Sequence, residues 1–200
     1  MIEPPRSIAL DQLEADIRAC TLCKDDMSRE PRPVLAVSSS AKILVAGQAP
    51  GNLAMESGRP FTDPSGVRLR DWMGVSDEIF YDASKITIVP MGFCFPGYDK
   101  TGADIPPMKR CADVWRAKLL AQLPNIEVTL LVGGYAQKWH LGKRMARNLT
   151  ETVRQWHSYR SEGVFTLPHP SWRNTGWIKK NPWFETETLP ALKSAISQAL

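Results

Sequence analysis

The chain has 200 residues, 43% hydrophobic and 23% charged, enough for one soluble domain with a core of its own. No apolar run reaches the roughly 20 residues that span a bilayer, which excludes an integral helical membrane protein. The net charge of +4 is compatible with a polyanionic partner but does not by itself specify one.

In chain order, the N-terminal "MIEPPRSIALDQ" lacks the apolar stretch of a secretory leader, so the expected location is the cytoplasm. "LDQLEADIRACTLC" reads as a helix with Leu10, Leu13, Ile17 and Cys20 on one face. A polar, proline-broken connection leads to "AKILVAG", a buried-strand pattern that ends in the turn "QAPG". "DPSGVRLRDWMG" starts a helix that stops near Gly74, and "KITIVPM" is a second strand. After the loop "GFCFPGYDKTGADIPP" come the helix "MKRCADVWRAKLLAQL", with Val114, Leu119 and Leu123 inward, and a third strand, "EVTLLVGG". "YAQKWHLG" and "LTETVRQWHSYR" read as helices, "GVFTLPH" as a fourth strand and "FETETLPALKSAISQAL" as the last helix. Strands alternating with helices predict an α/β domain over residues 1–200 with a mostly parallel sheet of about four strands. Ligands of such sheets bind beyond the carboxyl ends of the strands, here "GQAPG", "PMGFC", "GGYAQ" and "PHPS".

Those ends bring together chemistry suited to a flat heterocycle. The "GQAPG" turn lets backbone approach a ligand closely. Phe61 offers an aromatic face, Asp63 a carboxylate and His169 an imidazole held between two prolines. The stretch "LPHPSWRNTGWIKKNPWFE" then places Trp172, Arg173, Trp177 and Lys179 on what reads as a basic, aromatic loop. Trp183 reads as a packing residue, and His140 and His157 as packing or surface residues. The four cysteines are Cys20, Cys23, Cys94 and Cys111. Cys20-x-x-Cys23 has metal or redox spacing; a tetrathiolate suits an iron–sulfur cluster or zinc, and buried free thiols are the third option.

In order along residues 10 to 198, "CTLC", "ILVAGQAPG", "SGRPFTDPSG", "FCFPG…PPMKRC", "LLVGGYAQ" and "LPHPSWR" resemble the uracil-DNA glycosylase superfamily. The similarity is greatest to its iron–sulfur branch in bacteria and archaea, family 4. The resemblance implies a three-layer α/β/α sandwich and a monomer acting on single- or double-stranded DNA. It implies base flipping and monofunctional hydrolysis of the N-glycosidic bond in base excision repair. In that scheme Phe61 stacks on the flipped base, and His169 donates to the pyrimidine oxygen on which negative charge grows. Ser171, Trp172, Arg173 and Lys179 meet the DNA, with Trp172 and Arg173 where the family inserts its wedge. Cys20, Cys23, Cys94 and Cys111 hold a [4Fe–4S] cluster. Gln48 stands where family 4 has Glu, so Asp63 is the first choice for the water-orienting charge, with Gln48 beside it. The family's base-reading Asn falls near Pro90 or Met91. Base contact is therefore expected from Gln48, Ala49 and the backbone of Pro90, Met91, Gly92 and Phe93. The other readings are a DNA-binding or damage-sensing module with weak catalysis, and a hydrolase or transferase of free nucleotides.

Overall fold

A computed structural model describes residues 8–200; the expectation of a leaderless N-terminus lies outside them. Four short strands, β1 (Ile43–Ala46), β2 (Ile86–Ile88), β3 (Val128–Val132) and β4 (Val164–Leu167), pair in the order β2-β1-β3-β4. Every pairing is parallel, with Val45 opposite Ile88 and Leu130, and Leu131 opposite Thr166. Apolar side chains on alternate positions of each strand bury both faces, as a covered parallel sheet requires.

One face carries Ile43, Val45, Ile88, Leu130 and Phe165. It packs on the helices Pro64–Met73 and Leu189–Ala199 through Leu69, Trp72, Met73, Leu192 and Ile196. The other face meets the first helix, Ile8–Arg18, through Leu10 and Ile17 around Leu44, and the helix Gly134–Leu141 through Ala136 and Leu141 around Ala46 and Leu131. Each fully buried side chain of this size contributes ~1.5–3 kcal/mol by leaving water. The result is the three-layer α/β/α sandwich expected from the sequence. The free edge of β2 is covered by the segment at Ala36, which bridges Ile88 in antiparallel fashion. No helix among the described residues is long and apolar enough to cross a membrane.

The strands match the sequence expectation, but the first helix ends at Arg18, before Cys20, and in the helix after the Pro-rich loop Leu119 and Leu123 are buried as expected while Val114 is only partly covered. Other differences lie in short elements. "LTETVRQWHSYR" breaks at Gln155 into Leu149–Arg154 and Trp156–Arg160. The segment after His169 is helical rather than looped: a 3₁₀ turn, Trp172–Asn174, runs into the helix Thr175–Lys180. Trp177 and Ile178 turn inward there, and the Trp177 indole nitrogen donates to Thr150 Oγ1 at 2.8 Å. Two inward residues are too few to show a helical period in sequence. Trp177 and Trp183 meet edge to face at 5.8 Å and both pack near Phe184, so both serve the core.

The helix after the Pro-rich loop contains a π-helical turn, Ala112–Arg116, that brings the fully buried Arg116 under the end of β2. Its guanidinium donates to the carbonyls of Val89 and Pro90 at 2.9 and 3.0 Å and to His140 Nε2 at 2.7 Å. Because Arg only donates, Nε2 of His140 is the acceptor and the ring is neutral. Burial, then the Arg116 charge, lowers the His140 pKa from 6.5 to about 3. The unfolded chain therefore takes up a proton near pH 6.5 that the folded chain refuses until about pH 3. Stability from this group is complete above the unfolded value and is lost as pH falls, by at most ~1.4 kcal/mol per pH unit. Urea unfolding between pH 7 and 4 is expected to show a shallower acid decline in His140→Gln than in the parent.

Candidate active site

The cleft is built around an unusual backbone at Phe61. Its φ of +55° makes it the one non-glycine in the left-handed region among the described residues. Its carbonyl accepts from the Tyr81 hydroxyl at 2.9 Å and from Arg70 Nη1 at 3.2 Å. Arg70 is itself fixed by Asp77 at 2.6 Å. Gly66 completes the clamp, since a Cβ there would stand 1.8 Å from the Phe61 carbonyl oxygen. Gly47, just after β1, lies under the ring, and a Cβ there would come within 3.2 Å of Phe61 Cζ. A strained residue held by this many partners is a mark of functional sites.

Asp63 precedes the helix Pro64–Met73, and both of its oxygens accept from Ser65 Oγ at 2.8 Å. His169 follows β4, half-buried between Pro168 and Pro170. Its Nδ1 accepts from the Ser171 backbone N–H at 3.2 Å, which leaves the proton of the neutral ring on Nε2. Burial pushes the His169 pKa down, against the smaller opposing charges of Asp63 and Asp104. The imidazole is thus a neutral Nε2–H donor. Its segment is tied down by Asn174 Nδ2 to the His169 carbonyl at 2.7 Å, and by Arg68 to the Ser171 carbonyl at 2.9 Å.

Phe61, Asp63, Ser65, Ala49, Pro90 and His169 line one solvent-open cleft, together with Asp104. Beyond it lies an outer groove that includes Gln48, Ser171, Arg173 and Asn174. Trp172 projects outward, 74% exposed, and Lys179 is exposed on the following helix. The structure therefore brings Phe61, Asp63, Ala49, Pro90 and His169 together and sets Gln48, Ser171 and Arg173 on the rim. Asp104, Ser65, Arg68 and Asn174 were not singled out from the sequence. "GADIPP" carries no periodic signal that would bring Asp104 to a site 65 residues downstream; the loop does so by folding back, with Ile105 N–H donating to the Gly97 carbonyl at 3.0 Å.

The end of β2 differs from the sequence expectation. Of residues 90–93, only Pro90 faces the cleft. Met91 faces a groove beside Trp139, while Gly92 and Phe93 line the cysteine cavity. Their N–H groups are spent: Met91 donates to Gly47, Gly92 to Gln48 and Phe93 to Cys111 Sγ. The Pro90 carbonyl is taken by Arg116. This ladder extends the β1–β2 pairing and holds the Gln48 turn in place, which leaves little backbone there for reading a base.

Cys20, Cys23, Cys94 and Cys111 all line one cavity and form no disulfide. Burial and the neighbouring thiols push Cys94 up to about 12; burial above all pushes Cys111 up to about 11. N–H groups of Phe93 and Trp115 already point at Cys111 and Cys20 sulfurs, each at 3.4 Å. Among the described residues no three His, Cys, Asp or Glu side chains are grouped as ligands of a metal ion.

The class of protein is a parallel α/β/α sandwich whose cleft beyond the strand carboxyl ends gathers an aromatic face, a neutral imidazole donor and carboxylates, the usual place for a ligand in such folds. The family is shown directly: the chain belongs to the uracil DNA glycosylase superfamily, whose model matches residues 36–193. Cys20 and Cys23 lie before that match. The superfamily is one of DNA glycosylases, which makes DNA the expected partner.

Proposed function

We propose that this protein excises uracil, and related deaminated bases, from DNA by flipping the nucleotide and hydrolysing its glycosidic bond. The observation that carries the reading is the neutral His169 donor in the same cleft as the clamped Phe61. Phe61 takes the face of the flipped base. As the glycosidic bond breaks, electrons flow into the base, and Nε2–H of His169 meets the growing charge on its oxygen; such a donor is worth ~3–4 kcal/mol. Asp63 supplies negative charge from inside the cleft, held in one orientation by Ser65. Gln48, on the rim, orients water or backbone and is not a base.

Ser171, Trp172, Arg173 and Lys179 form the DNA contact, with Trp172 as the wedge whose insertion offsets the cost of unstacking, a few kcal/mol per step. Arg173→Ala and Lys179→Ala are each expected to weaken binding across sequences and lower the salt slope by about one. Trp172→Ala should hurt duplex substrate more than single strands, where little unstacking is needed. Salt-dependent affinities with both substrates check this; equal losses on both would remove the wedge role.

We assign Cys20, Cys23, Cys94 and Cys111 to a [4Fe–4S] cluster, as in the iron–sulfur branch. Four thiols on one cavity, with N–H groups aimed at two sulfurs, support a cluster whose irons each take one thiolate. A tetrathiolate also suits zinc, and metal analysis of protein purified without oxygen distinguishes the two: iron with sulfide for the cluster, zinc alone against it. When bound, the cluster cross-links the segment of Cys20 and Cys23 to the loop of Cys94 and Cys111 and has a structural role.

Oligonucleotides with a single uracil, hypoxanthine or xanthine, incubated with protein and then cleaved with alkali, test the activity. Cleavage at uracil supports the proposal; a protein that binds all three and cleaves none is a damage-sensing module. That second reading draws on the spent backbone groups at residues 91–93.

A further inference from the structure

The inner cleft and the outer groove share a neck. Ala49, Pro50, Asp104 and His169 line both cavities. Phe61 and Asp63 belong to the inner cleft alone, and Arg173 and Asn174 to the outer groove alone. A nucleotide flipped in this direction has its base against Phe61 and its phosphates beside Arg173. Its deoxyribose, and the bond that breaks, then sit at the neck.

Asp104 is the carboxylate of that neck. Its side chain has no hydrogen bond or ion pair among the described residues, whereas both oxygens of Asp63 are engaged by Ser65. Its backbone is fixed, through the bridge of Tyr98 to Asp104 and the bond from Ile105 N–H to the Gly97 carbonyl. A free acidic group beside a groove for phosphates is unfavourable for binding unless it meets positive charge. Such charge arises at C1′ as the glycosidic bond ionises.

Resting on the glycosylase reading, we propose that Asp104 is a second catalytic carboxylate, one that stands at the sugar and acts on C1′ and the attacking water. The C1′–N bond breaks heterolytically, and its electron pair leaves with the base nitrogen. The base anion is held by His169 Nε2–H, and the sugar becomes a cation facing Asp104. Water oxygen adds to C1′, and its released proton passes to the Asp104 carboxylate and from there to the base anion or solvent. The products are the free base and an abasic site with a C1′ hydroxyl. Asp63 lies in the inner cleft beside Phe61, away from the neck, with its oxygens held by Ser65.

Two abasic analogues separate this role from a general effect on DNA binding. One carries a pyrrolidine whose protonated nitrogen places a positive charge in the sugar ring; the other carries neutral tetrahydrofuran. Affinities for oligonucleotides with each analogue are measured by fluorescence anisotropy for the parent, Asp104→Asn and Asp63→Asn. The parent is expected to prefer the cationic ring by about tenfold, as for one close, partly exposed charge pair. Asp104→Asn should lose the preference, and Asp63→Asn should keep most of it. In single-turnover excision Asp104→Asn should fall ~10²-fold, with melting temperature unchanged because the side chain is exposed. No preference in the parent, or full preference in Asp104→Asn, overturns the assignment whatever the excision result. Lost preference in Asp104→Asn without excision of any base by the parent supports the sugar contact and instead sinks the glycosylase reading.

Discussion

His169→Ala is expected to slow single-turnover excision of uracil by ~10²–10³ while leaving DNA affinity nearly unchanged. The donor is preorganised. The Ser171 N–H occupies Nδ1, so the ring proton stays on Nε2, and Asn174 and Arg68 hold the segment on either side. Burial lowers the His169 pKa, so the ring is already neutral at pH 7. The sign gives a second test. A catalytic imidazolium of ordinary pKa would lose its proton above about pH 6.5, and the rate would fall tenfold per unit beyond it. With a neutral donor no such limb appears between pH 6.5 and 8. A rate that falls steadily over that range, or a His169→Ala protein that loses rate only in proportion to its folded fraction, would remove the donor role.

The residues assigned to the base were more legible in the sequence than those that hold them. Short apolar runs rich in β-branched residues marked β1 to β4, ended by glycine after β1 and β3 and by proline after β2 and β4, because buried parallel strands need that composition. Their carboxyl ends then pointed to Phe61, Asp63 and His169 without any coordinates. Asp104 was not legible, because it reaches the neck only through the hairpin of its loop, and Arg68 and Asn174 were not, because they act on backbone rather than on a ligand. Nor does sequence reveal which backbone groups are already spent. At Met91, Gly92 and Phe93 the N–H groups serve the β1–β2 ladder and a cysteine sulfur, and Arg116 takes the Pro90 carbonyl. Arg116 itself looks like a surface residue in "VWRAKL"; the π-helical turn rotates it inward.

Loss of the cysteine cluster is expected to have the largest effect on the fold. Protein purified without oxygen should be brown and contain iron and sulfide, and Cys94→Ser or Cys111→Ser should be colourless with a much lower melting temperature. The physical basis is the state of the thiols. Left unligated, Cys94 and Cys111 are held protonated by burial, with values near 12 and 11, although N–H donors already point at Cys111 and Cys20. Bound cationic iron would reverse that balance and hold them as thiolates. Structural zinc sites contribute on the order of 10 kcal/mol of folding free energy, and a cluster held by four thiolates would stabilise by the same coupling of ligation to folding. Under this assignment the cluster would fasten Cys20 and Cys23, near the first helix, to the loop that leads out of β2. The first helix supplies Leu10 and Ile17 to the core over Leu44, so releasing it uncovers one face of the sheet. Loosening of the loop would also reach Asp104, which lies between Cys94 and Cys111 in sequence, so the serine variants should lose excision together with stability. Four freely titrating thiols, with neither iron nor zinc, in active protein prepared without oxygen would rule the cluster out and leave these cysteines as packing residues.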